Sequence, residues 1–171
     1  MMREDRMLAN LLPELSLMST LALVSALGCA LVAGIFLAFS SFVMAALSRL
    51  PAEQGIAAMQ AINVTVLNPL FLGLFLGTGL LCLGLVTGSI FRWPAPGGFC
   101  LIAAGILYVV GSVLVTMIFN VPLNETLAKV APTSPEGAVF WQRYLADWIL
   151  WNHVRTFCAA LAAVLMMAAL R

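Results

Sequence analysis

Charge is what this chain has least of. Its 171 residues carry eight basic and seven acidic side chains, or 9% charged, where soluble domains run near roughly 25%. No charge occurs between Glu14 and Arg49, and none between Glu53 and Arg92. With 63% hydrophobic residues and a mean hydropathy of +1.08, the chain reads as a single integral membrane domain. It has no basic cluster and no low-complexity tract, which excludes nucleic acid as a partner. Histidine occurs once, and the four cysteines, Cys29, Cys82, Cys100 and Cys158, form no CxxC pair. One histidine without carboxylates at ligand spacing makes no metal site, and the cysteines read as small buried residues. No cofactor is expected, although a haem held by the single histidine stays open. The lack of internal repeats and of charge within the spans argues against a transporter.

What is present is long apolar runs. The uncharged run up to Arg49 far exceeds the roughly 7–15 residues of a secretory core, so it reads as an uncleaved first span over 17–47. Pro51 opens a short helical approach segment, with Ile56, Met59 and Ile62 at helical spacing. A second span over 63–90 contains Asn68-Pro69, where a kink is expected. Its Gly73, Gly77, Gly84 and Gly88 form GxxxG pairs, which serve either packing within the bundle, the favoured use, or a homo-oligomer seam. A Pro/Gly turn from Arg92 to Gly98 leads to a third span over 99–119, ending in Asn120-Val121-Pro122-Leu123-Asn124. Ser134-Pro135-Glu136 is a helix start, with an N-cap, a proline at N1 and an acid in the first turn. The fold predicted is all-α: a four-transmembrane-helix up-down bundle, its last span (148–170) carrying an amphipathic extension. The positive-inside rule places the termini in the cytoplasm, with Arg3, Arg6, Arg92 and Arg171 on their side, and a bacterial inner membrane is the expected location.

In such a bundle, odd spans end and even spans begin at one face. Ser40 and Ser41, then Asn63, Thr65 and Asn68, then Asn120 and Asn124, then Asn152, His153 and Arg155 therefore meet at one level. Arg155 lies about 24 Å along the helix from Arg171, just inside the boundary of a hydrocarbon core about 30 Å thick. Trp141, Trp148 and Arg155 recur every seven residues with Asn152 beside them, while His153 is turned about 100° away. Singly, each residue has a structural explanation: a snorkelling arginine, asparagines bonding between helices, an aromatic belt. Their convergence from four helices favours a pocket for a small molecule.

The segments Asn63-Val64-Thr65-Val66-Leu67-Asn68-Pro69, Asn120-Val121-Pro122-Leu123-Asn124 and Trp148-Ile149-Leu150-Trp151-Asn152-His153-Val154-Arg155-Thr156 resemble the anthrone-oxygenase-like family of small membrane proteins, many of unknown function. The resemblance covers nearly the whole chain from about residue 28. It implies a four-helix membrane bundle and, as in characterised fungal relatives, oxidation of an anthrone to an anthraquinone by dioxygen without a cofactor. Such a reaction needs a base, donors for an oxyanion and a flat apolar slot. His153 is the one side chain that titrates near neutrality unperturbed, and is either that base or a packing histidine. Arg155, Asn152 and Asn120 are candidate oxyanion donors, and Trp148, Trp151 and Phe119 candidate ring partners. Asn68 and Asn124 complete the expected substrate-binding set. The rival reading is a non-catalytic protein that binds a quinone-like or lipid molecule, or a partner subunit.

Overall fold

The computed structural model describes residues 17–92 and 95–171. The charged segment with Arg3 and Arg6, and Trp93-Pro94 of the Pro/Gly turn, lie outside the described residues. Among the described residues all regular structure is helical. Helix α1 is Leu17–Leu47, α2 is Ala52–Thr65, α3 is Pro69–Phe91, α4 is Gly98–Ala128 and α5 is Pro135–Ala169. Four of these, all but α2, are long and apolar enough to cross a membrane. The up-down arrangement shows in the end contacts. Gly88, late in α3, faces Met18 at the start of α1, and Gly97, before α4, faces Ala169 at the end of α5. Helix α1 packs on α5 and α3, and α4 packs on α5 and α3, closing a ring. The chain is thus an integral membrane protein built as a four-helix bundle.

Small residues let the helices approach, because lipid supplies no hydrophobic drive between spans. Ala22, Ala26, Cys29 and Ala33 form one buried stripe of α1, and Ala159 and Ala162 lie in the same core, which Phe36, Phe75 and Tyr108 fill. A second core caps the bundle. There Ile56 and Met59 of α2 and Leu127 of α4 pack against Trp141, Tyr144 and Trp148 of α5. At about 1.5 Å per residue, the 35 residues of α5 run some 50 Å, well beyond a hydrocarbon core of about 30 Å. Its first turns therefore reach into this cap. Ser134 caps α5 by accepting from Gly137 N at 3.0 Å, as its sequence suggests.

Two expectations change. The second span does not run from Asn63 with a kink at Pro69. The chain breaks at Val66–Asn68, and α3 starts afresh at Pro69, with Asn68 as its N-cap accepting from Phe71 N at 3.0 Å. Proline at N1 costs no hydrogen bond, whereas inside a helix it would, so the break is the cheaper solution. Gly73, Gly77 and Gly84 do not pack on the described residues of the bundle, since among these no atom outside their own turns lies within 4 Å of where a Cβ would stand. Helix α4, by contrast, passes through Pro122 and runs on to Ala128. It does so behind π-type turns at Val109–Leu114 and Thr116–Asn120, and α1 has another at Phe39–Val43. These widened turns sit beside the middle of α5 and build the site.

Candidate functional site

Helix α5 presents one buried face: Trp141, Tyr144, Trp148, Asn152 and Arg155. The rings of Trp141, Tyr144 and Trp148 form a ladder with centroid spacings of 5.5 and 6.3 Å. Arg155 ends it, 5% exposed, its Cζ 4.2 Å from the Phe36 ring centroid and 4.8 Å from that of Trp148. Arg155 Nε and Nη2 donate to Asn152 Oδ1 at 3.1 and 2.8 Å, and Nη1 donates to Thr116 Oγ1 at 3.2 Å. These bonds use three of the five N–H groups of a guanidinium. Among the described residues no carboxylate pairs with it; the ion pair found there joins Arg143 to Asp147 at 3.2 Å, on the exposed face. A buried arginine without a counter-charge is costly.

Asn152 is held in turn. Its Nδ2 donates to Phe36 O at 2.8 Å and to Ser40 Oγ at 2.7 Å, both beside the π turns of α1. Widened turns are where helices offer backbone and side-chain groups to a neighbour. His153 Nδ1 lies 3.0 Å from the same Ser40 Oγ, but its ring is exposed on the outer side of α5. Ser40 thus joins two residues that helical geometry points apart.

Helix α4 contributes a polar stripe, Ser112, Thr116, Asn120 and Asn124, spaced by fours. In a regular helix that spacing drifts by about 40° per step. The π turns, with more residues per turn, absorb the drift, and all four side chains meet α5. Ser112 Oγ donates to Arg155 O at 3.1 Å, and Thr116 accepts from the guanidinium. Asn120 Nδ2 donates to Trp148 O at 3.3 Å, and its buried Oδ1 has no donor among the described residues. Asn124 Oδ1 accepts from Tyr144 OH at 2.8 Å and from Trp148 Nε1 at 2.9 Å. Gly111 makes the approach feasible, since any Cβ there would overlap Cys158 of α5.

Between the two cores lies a cavity of about 550 Å³. Phe36, Phe75 and Trp148 line it, with Arg155 and Thr116 as polar wall groups, Asn63 and Asn124 further along, and Glu125 as its one carboxylate. Of the residues expected at the site, Arg155, Trp148 and Asn124 line this cavity. Asn152 and Asn120 stand directly behind that wall. The rest are placed elsewhere. The exposed Asn68 spends its side chain on capping, accepting from Phe71 N and donating to Thr65 O at 3.0 Å. Phe119 and Trp151 stack on each other at 3.5 Å and border a separate outer groove, so they offer this cavity no ring partner. His153 lies outside the cavity, which leaves no axial histidine for a haem within it. Among the described residues no three His, Cys, Asp or Glu side chains come together.

Sequence reasoning gave no role to Ser112, Thr116, Phe36, Tyr144 or Glu125, and named Ser40 without its partner. The four-residue polar spacing in α4 was the signal that could have found Ser112 and Thr116. The family model described as anthrone oxygenase matches residues 59–165, well over half of the chain. Comparison with curated proteins and with solved structures gives no match.

Proposed function

Because the chain belongs to the anthrone oxygenase family, we propose that it is a membrane-embedded oxygenase that joins dioxygen to an anthrone- or quinol-like aromatic without a cofactor. The observation that supports this most is Arg155, a buried cation that pairs with no carboxylate among the described residues, facing an apolar cavity between helices. Such a cation stabilises an oxyanion that forms during reaction, and a fixed donor of this kind is worth roughly 10²–10³ in rate.

In the proposed reaction the carbonyl oxygen of the substrate lies against Arg155, whose guanidinium Asn152 and Thr116 hold in plane. The carbon across the ring loses a proton, and the electron pair moves onto that oxygen as an enolate. The anion reduces dioxygen and forms a carbon–peroxide bond at the same carbon. The peroxide anion takes back the proton, and as the remaining C–H and the O–O bond break, water leaves and a second ring carbonyl forms. In balance, one CH₂ becomes C=O, and the other oxygen atom leaves as water. Phe36 and Trp148 pack the apolar body of the substrate. His153 acts at one remove, through Ser40 on Asn152, and we assign the role of proton acceptor to Glu125, the carboxylate among the lining residues. Orientation with the termini in the cytoplasm of a bacterial inner membrane belongs to the same proposal.

A second reading, binding of a quinone-like molecule without turnover, is favoured by the position of His153 outside the cavity. Oxygen uptake decides between the two. The purified protein in nanodiscs, given an anthrone, is expected to consume one dioxygen per quinone formed, above the rate of empty nanodiscs. A bound aromatic with no oxygen uptake would establish the second reading.

A further inference from the structure

The walls of the cavity sort by chemistry. One end is polar, with Gln60, Asn63, Asn124 and Glu125 near the cap. The side is apolar and open: Leu67, Leu76 and Met117 line the cavity yet are 66%, 46% and 55% exposed. A residue that both lines a cavity and meets the surroundings marks an opening. Leu76 and Met117 belong to membrane spans, so this opening faces lipid chains. Its cause is local. Helices α3 and α4 pack closely where Gly105 meets Val86 and Gly79 meets Val113, and Tyr108 OH donates to Phe75 O at 3.0 Å. Beyond that point the chain break before Pro69 and the second π turn of α4 let the two helices part.

Continuing the antiparallel register from those contacts sets Leu76 level with Met117. Met117 follows Thr116, which binds the guanidinium. The side opening and Arg155 are therefore at one height. The polar end is not: Asn124 and Glu125 lie eight and nine residues further along α4, about 12–13 Å away.

Resting on that reading of the cavity, we infer that it fills sideways from the bilayer, between α3 and α4, with a membrane-dissolved aromatic whose single ionised oxygen completes the hydrogen bonding of Arg155. Charge complementarity selects the occupant. The arginine has two N–H groups left and, among the described residues, no carboxylate paired with it, and apart from Thr116 the lining at that height is apolar. A neutral lipid chain would leave the cation unpaired, and a small aqueous anion would leave the apolar walls unfilled.

2-Naphthoate, which has no oxidisable C–H at a benzylic position, tests this with the full chain in nanodiscs, through energy transfer from tryptophan. The neutral 2-naphthamide should bind the wild type roughly 10–100-fold more weakly than naphthoate, the scale of one charged hydrogen-bonded pair. Arg155→Gln should abolish that preference. The double substitution Leu76→Phe with Met117→Phe narrows the side opening, and Ala128→Phe narrows the polar end. All three positions are exposed. The double variant should slow naphthoate association roughly tenfold with little change in Kd, since a gate alters rates rather than the complex. Ala128→Phe should leave the rate unchanged. Slowing by Ala128→Phe, slowing by neither, or equal binding of acid and amide would overturn the inference. Naphthoate consumes no oxygen, so these outcomes stand or fall apart from the oxygenase reading.

Discussion

Asn152 and Arg155, one turn apart on α5, are locked together: Nε and Nη2 of the arginine both donate to the one oxygen Oδ1, at 3.1 and 2.8 Å. This pairing orients the guanidinium plane against Phe36 and Trp148 and turns the remaining donors towards Thr116 and the cavity. An ammonium cannot copy that fork. Arg155→Gln is expected to lose roughly 10²–10³ in kcat/KM, the scale for one oxyanion donor, and Arg155→Lys to recover little of it. Steady-state oxygen uptake, with thermal unfolding alongside, checks this. Full activity in Arg155→Lys would mean that charge alone matters.

The proton acceptor is a separate question. Glu125→Gln should lower turnover by roughly 10²–10⁴, the usual contribution of a positioned base. His153→Gln keeps an oxygen that can accept from Ser40 Oγ, so its turnover should match the wild type. The two turnover numbers, measured at matched folding, decide the matter. An inactive, well-folded His153→Gln would move the base to His153 and overturn the assignment to Glu125.

Asn124 carries two buried donors on one oxygen, from Tyr144 and Trp148. Tyr144→Phe removes the bond to Asn124 and the long one that Asn63 Nδ2 donates at 3.5 Å, and should cost about 0.5–1.5 kcal/mol for the stronger of the two. Asn124→Ala leaves both donors unpaired and should cost more, about 1–3 kcal/mol for each. If thermal unfolding shows the two variants equally stable, the shared oxygen does not hold the aromatic ladder in place.

At the start of α3, Asn68→Ala should cost about 1 kcal/mol, as losing an N-cap does, and should leave oxygen uptake unchanged. Asn68→Asp, which still caps, should restore stability. A loss of turnover at full stability would return Asn68 to the cavity.

The buried face of α5 was legible in the sequence because seven-residue spacing and helical geometry determine it; Trp141, Trp148, Asn152 and Arg155 are all buried and His153 is exposed. The first three spans were legible from charge-free lengths, although the second starts at Pro69 and not at Asn63. The link between His153 and Asn152 was not, because it runs through Ser40 on a helix 112 residues earlier. Nor were the π turns, which carry no composition of their own yet keep Ser112, Thr116, Asn120 and Asn124 facing α5. Asn68-Pro69 reads equally well as a kink or as a helix start. Which of the two the chain adopts depends on whether the preceding helix can pack separately, and α2 does so, against Trp141 and Tyr144.

If Arg155 holds an ionised oxygen in the cavity, a bound substrate should carry the spectrum of its anion. The most direct measurement is the absorption spectrum of an anthrone bound without oxygen at neutral pH, in wild type and in Arg155→Gln. The wild type is expected to show the long-wavelength band of the enolate anion, which decays to quinone when oxygen is admitted, and Arg155→Gln only the band of the neutral ketone. A neutral-ketone spectrum in the wild type, or the anion band at equal strength in both, would contradict the claim.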